Sequence, residues 1–353
     1  MKNEYYALGL MSGTSLDGLD LALCHFVKAL KWNYKVVAAA TVEYPEDLRA
    51  KLDESIELSA YEFVKLDVDL GKFIGEKIND FLATQSIKPD FIASHGHTTF
   101  HQPQNGFTSQ IGNGAAIAAN TGITTICDFR TTDVALCGQG APLVPIGDEL
   151  LFDQYDACLN LGGISNISFR MHGIRTAFDI SPCNMALNYL ANKMNMPYDN
   201  NGENARKGNI NAGLLNMLDN IDFYKKTGAK SLGKEWFDTV FQPCVDSAEI
   251  SIYDKLRTVT EHIASQIETV LDKQSIETVL VTGGGARNVF LIECLSAAKN
   301  RKIIIPDSQT IDFKEAIIFA FLGVLRMRGE ANCLRAVTGA KTDSCGGCIY
   351  WGK

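Results

Sequence analysis

Residues 8–23 (LGLMSGTSLDGLDLAL) and residues 158–169 (CLNLGGISNISF) share one pattern: an apolar run, a turn of small and polar residues, and a second apolar run. Each reads as a β-hairpin, because apolar runs bounded by Gly and Ser clusters favour strands joined by a tight turn. A further strand follows each hairpin, at residues 32–42 and 175–179, and each leads into alternating helix and strand segments. A hairpin plus α/β segment that occurs twice predicts an α/β chain with two duplicated lobes. A hairpin tip lined with backbone N–H and hydroxyl groups can hold an anion, most often a phosphate; an ordinary glycine turn is the alternative.

The stretches between carry the remaining elements. Apolar residues at Phe63, Leu66, Leu70, Phe73, Ile74, Ile78, Phe81 and Leu82 have helical spacing with one face inward. Residues 91–96 read as a buried strand ending at Ser94-His95-Gly96, and residues 123–127 as a strand followed by the polar loop 128–133. Ser181 and Pro182 suit the N-cap and first position of a helix over residues 184–194. Leu256, Val259, Ile263, Ile267, Val270 and Leu271 mark an amphipathic helix, residues 278–288 a strand, glycine loop and helix start, and Glu315 the opening of an apolar helix over 316–325. With no long linker visible, the lobe boundary is placed between the loop 128–133 and the turn-forming connector 138–145. That gives lobes of 1–134 and 135–353, with the C-terminal helix able to pack back on the first.

Composition narrows the class. The chain has 353 residues, enough for two domains of ordinary size, and is 46% hydrophobic and 21% charged. A net charge of −8 argues against a nucleic-acid footprint or an anionic-membrane anchor. The N-terminal stretch lacks a secretory pattern, and the apolar run 316–325 is too short to span a bilayer, so a cytoplasmic, soluble protein is expected. The ten cysteines are scattered, several within apolar runs, as suits a reducing compartment. Cys345-Gly-Gly-Cys348 has no second pair to complete a structural zinc site.

Three glycine-rich turns end or join strands: residues 12–18, 161–166 and 283–285. In a duplicated α/β chain they suggest two lobes closing on a nucleotide. The hairpins would grip phosphates through Ser12, Gly13, Thr14, Ser15, Leu16, Asp17 and Gly18 in the first and Gly162, Gly163 and Asn166 in the second. Gly283, Gly284, Gly285 and Asn288 would approach the adenosine. A dinucleotide turn lacks its G-x-G-x-x-G spacing here, and no Walker A loop is present. Phosphoryl transfer from ATP also needs a metal and a group that orients or deprotonates the nucleophile. Asp17 and Asp20 are candidates for holding Mg²⁺, largely through water. Asp179, between a strand and a helix start, is the candidate base; a capping aspartate is its plainer alternative. His95, His97 and His101 invite a metal reading, but hydrogen bonding of a sugar or phosphate by His95 is favoured.

These same residues carry a family resemblance. MSGTSLDGLD (11–20), SHGHTTFHQP (94–103), DFRTTDVA (128–135), GQGAPLVP (138–145), NLGGISNIS (160–168), FDISPCN (178–184), VTGGGARN (281–288) and VTGA (337–340) follow in order along the chain. Together they resemble the anhydro-N-acetylmuramic acid kinases. The resemblance implies a two-lobed actin/hexokinase-like (ribonuclease H-like) fold with an ATP cleft between the lobes. It implies a reaction of ATP, water and 1,6-anhydro-N-acetylmuramic acid that gives N-acetylmuramic acid 6-phosphate and ADP in cell-wall recycling. It makes Asp179 the base that activates water, places Arg130 and Glu315 on the sugar with Thr14 and His95 close by, and suggests a homodimer. The sequence departs from the family pattern in two places: Ile180, Ser181 and Cys183 replace a threonine and glycines beside Asp179, and His97 replaces a glutamine. An Hsp70-like or actin-like ATPase, and a kinase of another sugar acid, are the competing functions.

Overall fold

The computed structural model describes every residue except Met1, Thr14, Ser15, Asp17, Thr227, Ala229 and residues 298–300. Strands β1 (Glu4–Ser12), β2 (Leu19–Lys28) and β3 (Trp32–Val42) form an antiparallel meander. β4 (Phe91–Gln102) runs parallel to β1, β5 (Phe107–Ile111) folds back on its distal part, and β6 (Thr125–Cys127) runs parallel to β4. The path across the sheet is β3-β2-β1-β4-β6. Further along, β7 (Ala157–Leu161), β8 (Ile164–Met171) and β9 (Ile174–Pro182) form a second meander. β10 (Thr278–Thr282) and β11 (Lys302–Ile304) add in parallel beside β7. That path is β9-β8-β7-β10-β11, the same order. The repeat in the sequence is a repeat of topology, and the fold is the duplicated actin/hexokinase-like (ribonuclease H-like) α/β type.

Contacts divide the chain into Met1–Phe152 with Phe313–Lys353, and Asp153–Asp312. The boundary expected at 134/135 therefore differs from the observed division, and the cause is packing. In the helix Pro145–Leu151, a Cβ on Gly147 would stand 2.6 Å from Ile318 Cγ1, and Asp148 pairs with Lys314 at 2.8 Å. Those contacts bind residues 145–151 and the late helix into the first unit. The tail joins it too, through β12 (Cys348–Tyr350), which pairs antiparallel with β6.

In the first unit, β1 shows how period two builds two apolar faces. Leu8 and Leu10 meet Leu66, Leu70, Ile74 and Ile78 of the amphipathic helix Ala60–Ala83. Gly9, on the other face, lies under the helix Ser308–Arg328, so close that a Cβ would fall 1.8 Å from the Ala316 carbonyl oxygen. This helix is apolar on all sides over residues 316–325 because it is buried there on all sides. In the second unit, Leu159, Leu161, Ile167 and Phe169 pack with Leu256, Val259, Ile263, Ile267 and Leu271 of the helix Ile252–Lys273.

Three local expectations change. β4 does not stop at Gly96 but continues to Gln102, so His95, His97 and His101 stand on a strand. Gly96 permits this with a φ of 76°, passing where a Cβ would meet the Ile111 carbonyl oxygen at 2.5 Å. Ser181 and Pro182 end β9 instead of capping a helix, because Ser165 donates to the Ser181 carbonyl at 2.9 Å; the next helix is Asn184–Asn192. Glu315 does not open the late helix, which begins at Ser308 with Asp307 accepting from the Thr310 N–H, and so lies about two turns in.

Candidate active site

In the first unit the end of β1, the middle of β4 and the loop after β6 converge. The carboxyl ends of parallel strands in open α/β sheets are where ligand-binding loops gather. His95 is 4% exposed, and both of its ring nitrogens are engaged within the chain: Nδ1 meets the Gly96 carbonyl at 2.8 Å, and Arg130 Nε donates to Nε2 at 2.9 Å. That pair of bonds assigns the proton to Nδ1. Burial and the adjacent guanidinium hold the imidazole well below its ordinary pKa, so it is neutral. Phe319 packs against the ring, centroids 4.7 Å apart. Arg130 Nη1 in turn donates to the Gly140 carbonyl at 2.6 Å, tying the DFR loop to the GQGAP connector. Glu315 is reached by solvent but crowded by protein. The crowding raises its carboxyl above the usual range, against the pull of Arg130 and Lys314 and with a smaller push from Asp20.

The base of the first hairpin carries a second network. Tyr44 donates to Ser12 Oγ at 2.8 Å, and Ser12 Oγ lies 3.2 Å from His97 Nδ1. With Tyr44 as donor, the Ser12 hydroxyl donates onward to Nδ1, which leaves the His97 proton on Nε2. Burial lowers the His97 pKa, so this ring is also neutral. Ser12 is thus committed within the protein. Gly13 and Leu16 form the described part of the turn, with the Leu16 N–H on the Gly13 carbonyl at 3.3 Å and a Leu16 φ of 57°. Gly18, at φ 155°, fits where a Cβ would stand 2.8 Å from the Val42 carbonyl oxygen. Thr14, Ser15 and Asp17 lie outside the described residues. Asp20, on β2, accepts from Thr41 Oγ1 at 2.6 Å. Among the described residues no group of three or more His, Cys, Asp or Glu is placed to hold a metal ion.

Sequence reasoning missed a fully buried carboxylate, Asp133, at the end of the DFRTTD stretch. It accepts from the Gly140 N–H at 2.8 Å, from Thr338 Oγ1 at 2.8 Å and from Cys333 Sγ at 3.0 Å. One side chain therefore links the DFR loop, the GQGAP connector and the late VTGA segment. No local sequence signal marks it, because its partners Gly140, Cys333 and Thr338 lie in separate stretches.

The second unit assembles the other sequence candidates. The hairpin tip at Gly162 and Gly163 accepts the N–H groups of Cys183 (2.8 Å), Asn184 (3.1 Å) and Met185 (3.0 Å), so it sits on the start of the Asn184–Asn192 helix. Asn184 Nδ2 also reaches the Leu161 carbonyl at 2.9 Å. The triple-glycine loop lies against the same hairpin. A Cβ on Gly283 would stand 2.5 Å from Asn160 Oδ1, and one on Gly285 2.7 Å from Leu161 Cβ. Gly163 and Gly284 meet nothing nearer than 3.9 and 3.6 Å, which leaves open backbone for a ligand. Asn166 lies across from Asn160 on one side and Asp179 on the other. Asn288 accepts from the Leu291 N–H at 3.1 Å and so caps the following helix.

Asp179 is half-buried on β9. Leu232 donates its N–H to Oδ2 at 2.8 Å; among the described residues Oδ1 accepts no hydrogen bond. Burial lifts the carboxyl above its ordinary range, partly offset by the Leu232 N–H. A carboxylate with one oxygen anchored, the other free and a raised pKa has the attributes of a general base.

The family model described as anhydro-N-acetylmuramic acid kinase matches residues 4–352. The chain belongs to the anhydro-N-acetylmuramic acid kinase family. It is 34% identical to the anhydro-N-acetylmuramic acid kinase of Sulfurovum sp. (strain NBC37-1), over 99% of this chain and 100% of that one. It is 37% identical to the kinase of that name from Pseudomonas putida, covering 97% and 98% of the two chains. Among solved structures it is similar to component A of the (R)-2-hydroxyglutaryl-CoA dehydratase of Acidaminococcus fermentans, with a TM-score of 0.45 at 12% identity over 90% of this chain and 96% of that one. A ROK-family glucokinase from Streptomyces griseus, in complex with glucose and AMPPNP, gives 0.40 at 9% identity, over 90% and 98%. Within the family's pattern, the departures at Ile180, Ser181 and Cys183 form a β-strand end and a buried helix start, and leave Asp179 and Asn184 in place.

Proposed function

We propose that this protein is the ATP-dependent kinase that hydrolytically opens 1,6-anhydro-N-acetylmuramic acid and phosphorylates it to N-acetylmuramic acid 6-phosphate, in murein recycling. The observation that carries the proposal is the family match over residues 4–352, within which the aspartate of the FDISPCN motif, Asp179, stands half-buried with Oδ2 held by the Leu232 N–H and Oδ1 without a hydrogen bond among the described residues. In this reaction Asp179 takes a proton from water as the water oxygen bonds to the anomeric carbon. The bond from that carbon to the bridging oxygen breaks, and the bridging oxygen accepts the γ-phosphoryl group as ADP leaves. Arg130 and Glu315 contact the sugar. His95, with both nitrogens engaged inside the chain, acts by holding Arg130 Nε in place. The His97 Nε2–H, in the tautomer set by Ser12, is a neutral donor standing where a glutamine amide is usual.

ATP is held through residues 12–18 and through the backbone of Gly162, Gly163 and Gly284, with open space beside Gly163 and Gly284 for its approach. Asp17 and Asp20 hold Mg²⁺; this ion commonly takes one or two carboxylates, with waters and phosphates completing its shell. When bound, it neutralises charge on the polyphosphate. Asn288 shapes the adenosine loop by capping the helix after it. Ten free thiols support a reducing, cytoplasmic setting, and among the described residues no helix is long and apolar enough to cross a membrane. A homodimer is the assembly that the resemblance implies. Incubation with Mg·ATP and the anhydro sugar tests the proposal: ADP and a 6-phosphosugar are expected in equal amounts, and formation of neither rejects it.

A further inference from the structure

The CxxC at Cys345–Cys348 has no part in the reaction above, and β12 gives Cys348 a different neighbour. Cys348 and Cys127 are directly opposed in the antiparallel β12–β6 pair. Residues opposed in this way have Cα atoms about 4.5 or 5.5 Å apart and side chains on one face of the sheet. That spacing lies within the roughly 4.4–6.8 Å that a disulfide spans. The shared face is confirmed by packing: a Cβ on Gly114 would meet Cys127 Sγ at 2.5 Å and Tyr350 Cδ2 at 2.8 Å, and Tyr350 is two residues beyond Cys348 on the same strand. Both thiols are free; Cys348 is exposed and Cys127 partly so. Cys345 is held elsewhere. Asn332 brackets Gly346 with bonds of 2.7 and 2.9 Å, and Arg326 Nε donates to the Gly347 carbonyl at 2.7 Å, fixing the backbone between the two CxxC cysteines.

We propose that Cys127 and Cys348 form a cross-strand dithiol that closes to a disulfide on exposure to a hydroperoxide, fastening the C-terminal strand to the strand that leads into Asp128–Arg130. The exposed Cys348 sulfur attacks the peroxide O–O bond and becomes a sulfenic acid, releasing an alcohol, or water from hydrogen peroxide. The Cys127 sulfur then attacks the sulfenic sulfur, forming the S–S bond and releasing water. Two thiols are oxidised and one peroxide is reduced. β12 is an edge strand of three residues, the kind of element that opens readily, so a covalent tie there has a measurable effect on local exchange. Burial, with Asp128 beside it, pushes the Cys348 thiol up, so the reaction is slow at neutral pH and accelerates as pH rises.

The full-length protein treated with hydrogen peroxide, then alkylated and digested without reductant, tests this. A linked peptide pair containing Cys127 and Cys348 is expected, lighter by two hydrogen atoms than the reduced pair. It should form equally in Cys345→Ser, be lost in Cys127→Ser and Cys348→Ser, and be absent when the treatment is done in urea. Hydrogen exchange of the β12 amides should slow at least about tenfold in the oxidised protein and return on reduction. A Cys345–Cys348 link, over-oxidation of Cys348 with Cys127 still reduced, or no reaction at either thiol would each overturn the proposal. Circular dichroism of the serine variants separates a failure of chemistry from a failure to fold.

Discussion

Asp179→Asn is the sharpest single perturbation, because it removes one proton-accepting charge and little else. Asparagine keeps an oxygen that can accept the Leu232 N–H, which is 2.8 Å from Oδ2 in the native chain. The carboxylate is held by the Leu232 N–H, whereas the hairpin at Gly162 and Gly163 is bonded to residues 183–185 and the Gly283–Gly285 loop packs on Asn160 and Leu161, so ATP binding should survive. Loss of a general base typically costs about 100- to 10,000-fold in rate, equivalent to about 2.7–5.4 kcal/mol of barrier. The same change should not lower stability. Burial raises the Asp179 pKa in the folded protein above its unfolded value. A carboxyl shifted that way gives its full stabilisation below the unfolded pKa and loses it as pH rises through the folded value, so at neutral pH the ionised group opposes folding. The variant should therefore melt at the same temperature or higher at pH 7, with the difference shrinking as pH falls. In the wild type, kcat/KM should fall on the acid side at a pH above the ordinary aspartate range. Turnover by coupled ADP release, ATP affinity by calorimetry and melting by circular dichroism measure all of this. A variant within about tenfold of the native rate refutes the assignment of the base. A variant that fails to bind ATP refutes the separation of the two roles.

Other residues give equally direct expectations. His95→Leu leaves the half-buried Arg130 Nε without its acceptor, an omission that costs about 1.5–3 kcal/mol for a charged donor; the sugar KM should rise by about 10- to 100-fold with the ATP KM little changed, whereas His95→Gln should recover part of the loss. Gly283→Ala forces a side chain onto φ 81° and places its Cβ 2.5 Å from Asn160 Oδ1, so a loss of about 1–3 kcal/mol in stability and a weaker ATP affinity are expected in melting and calorimetry. Gly9→Ala sets a methyl 1.8 Å from the Ala316 carbonyl oxygen and must displace the helix that carries Glu315. Destabilisation of about 3 kcal/mol or more is expected, with loss of sugar affinity in whatever folded protein remains; an unchanged melting temperature would contradict the packing.

The repeat was legible because two hairpins with apolar flanks leave a period-two signature that survives divergence, and the antiparallel meander of each unit follows from it. The residues around Asp179 were legible as a motif, but not their local structure. Ser181-Pro182 has the chemistry of a helix start, yet Ser165 fixes the Ser181 carbonyl within the sheet, a tertiary preference that no local window contains. The histidines of β4 were misplaced for a similar reason: Gly96 looked like a strand end, whereas its positive φ lets the strand run on beside β5. The unit boundary was hidden because its cause is long-range. Lys314 and Asp148 pair across 166 positions of sequence (314 − 148), and nothing near either residue announces the other. Asp133 is the same case, since its partners Gly140, Cys333 and Thr338 come from three separate stretches. Distances in space between chemically ordinary residues are what the linear pattern withholds.

Turnover in ¹⁸O-labelled water is the most direct probe of this chemistry, since the proposed reaction joins hydrolysis to phosphoryl transfer. With Mg·ATP and 1,6-anhydro-N-acetylmuramic acid, the label should enter the product at the anomeric carbon, while the bridging oxygen becomes the unlabelled ester oxygen at position 6. Label appearing in inorganic phosphate, or a phosphorylated sugar with an unlabelled anomeric hydroxyl before any exchange, would contradict water activation by Asp179 and the account built on it.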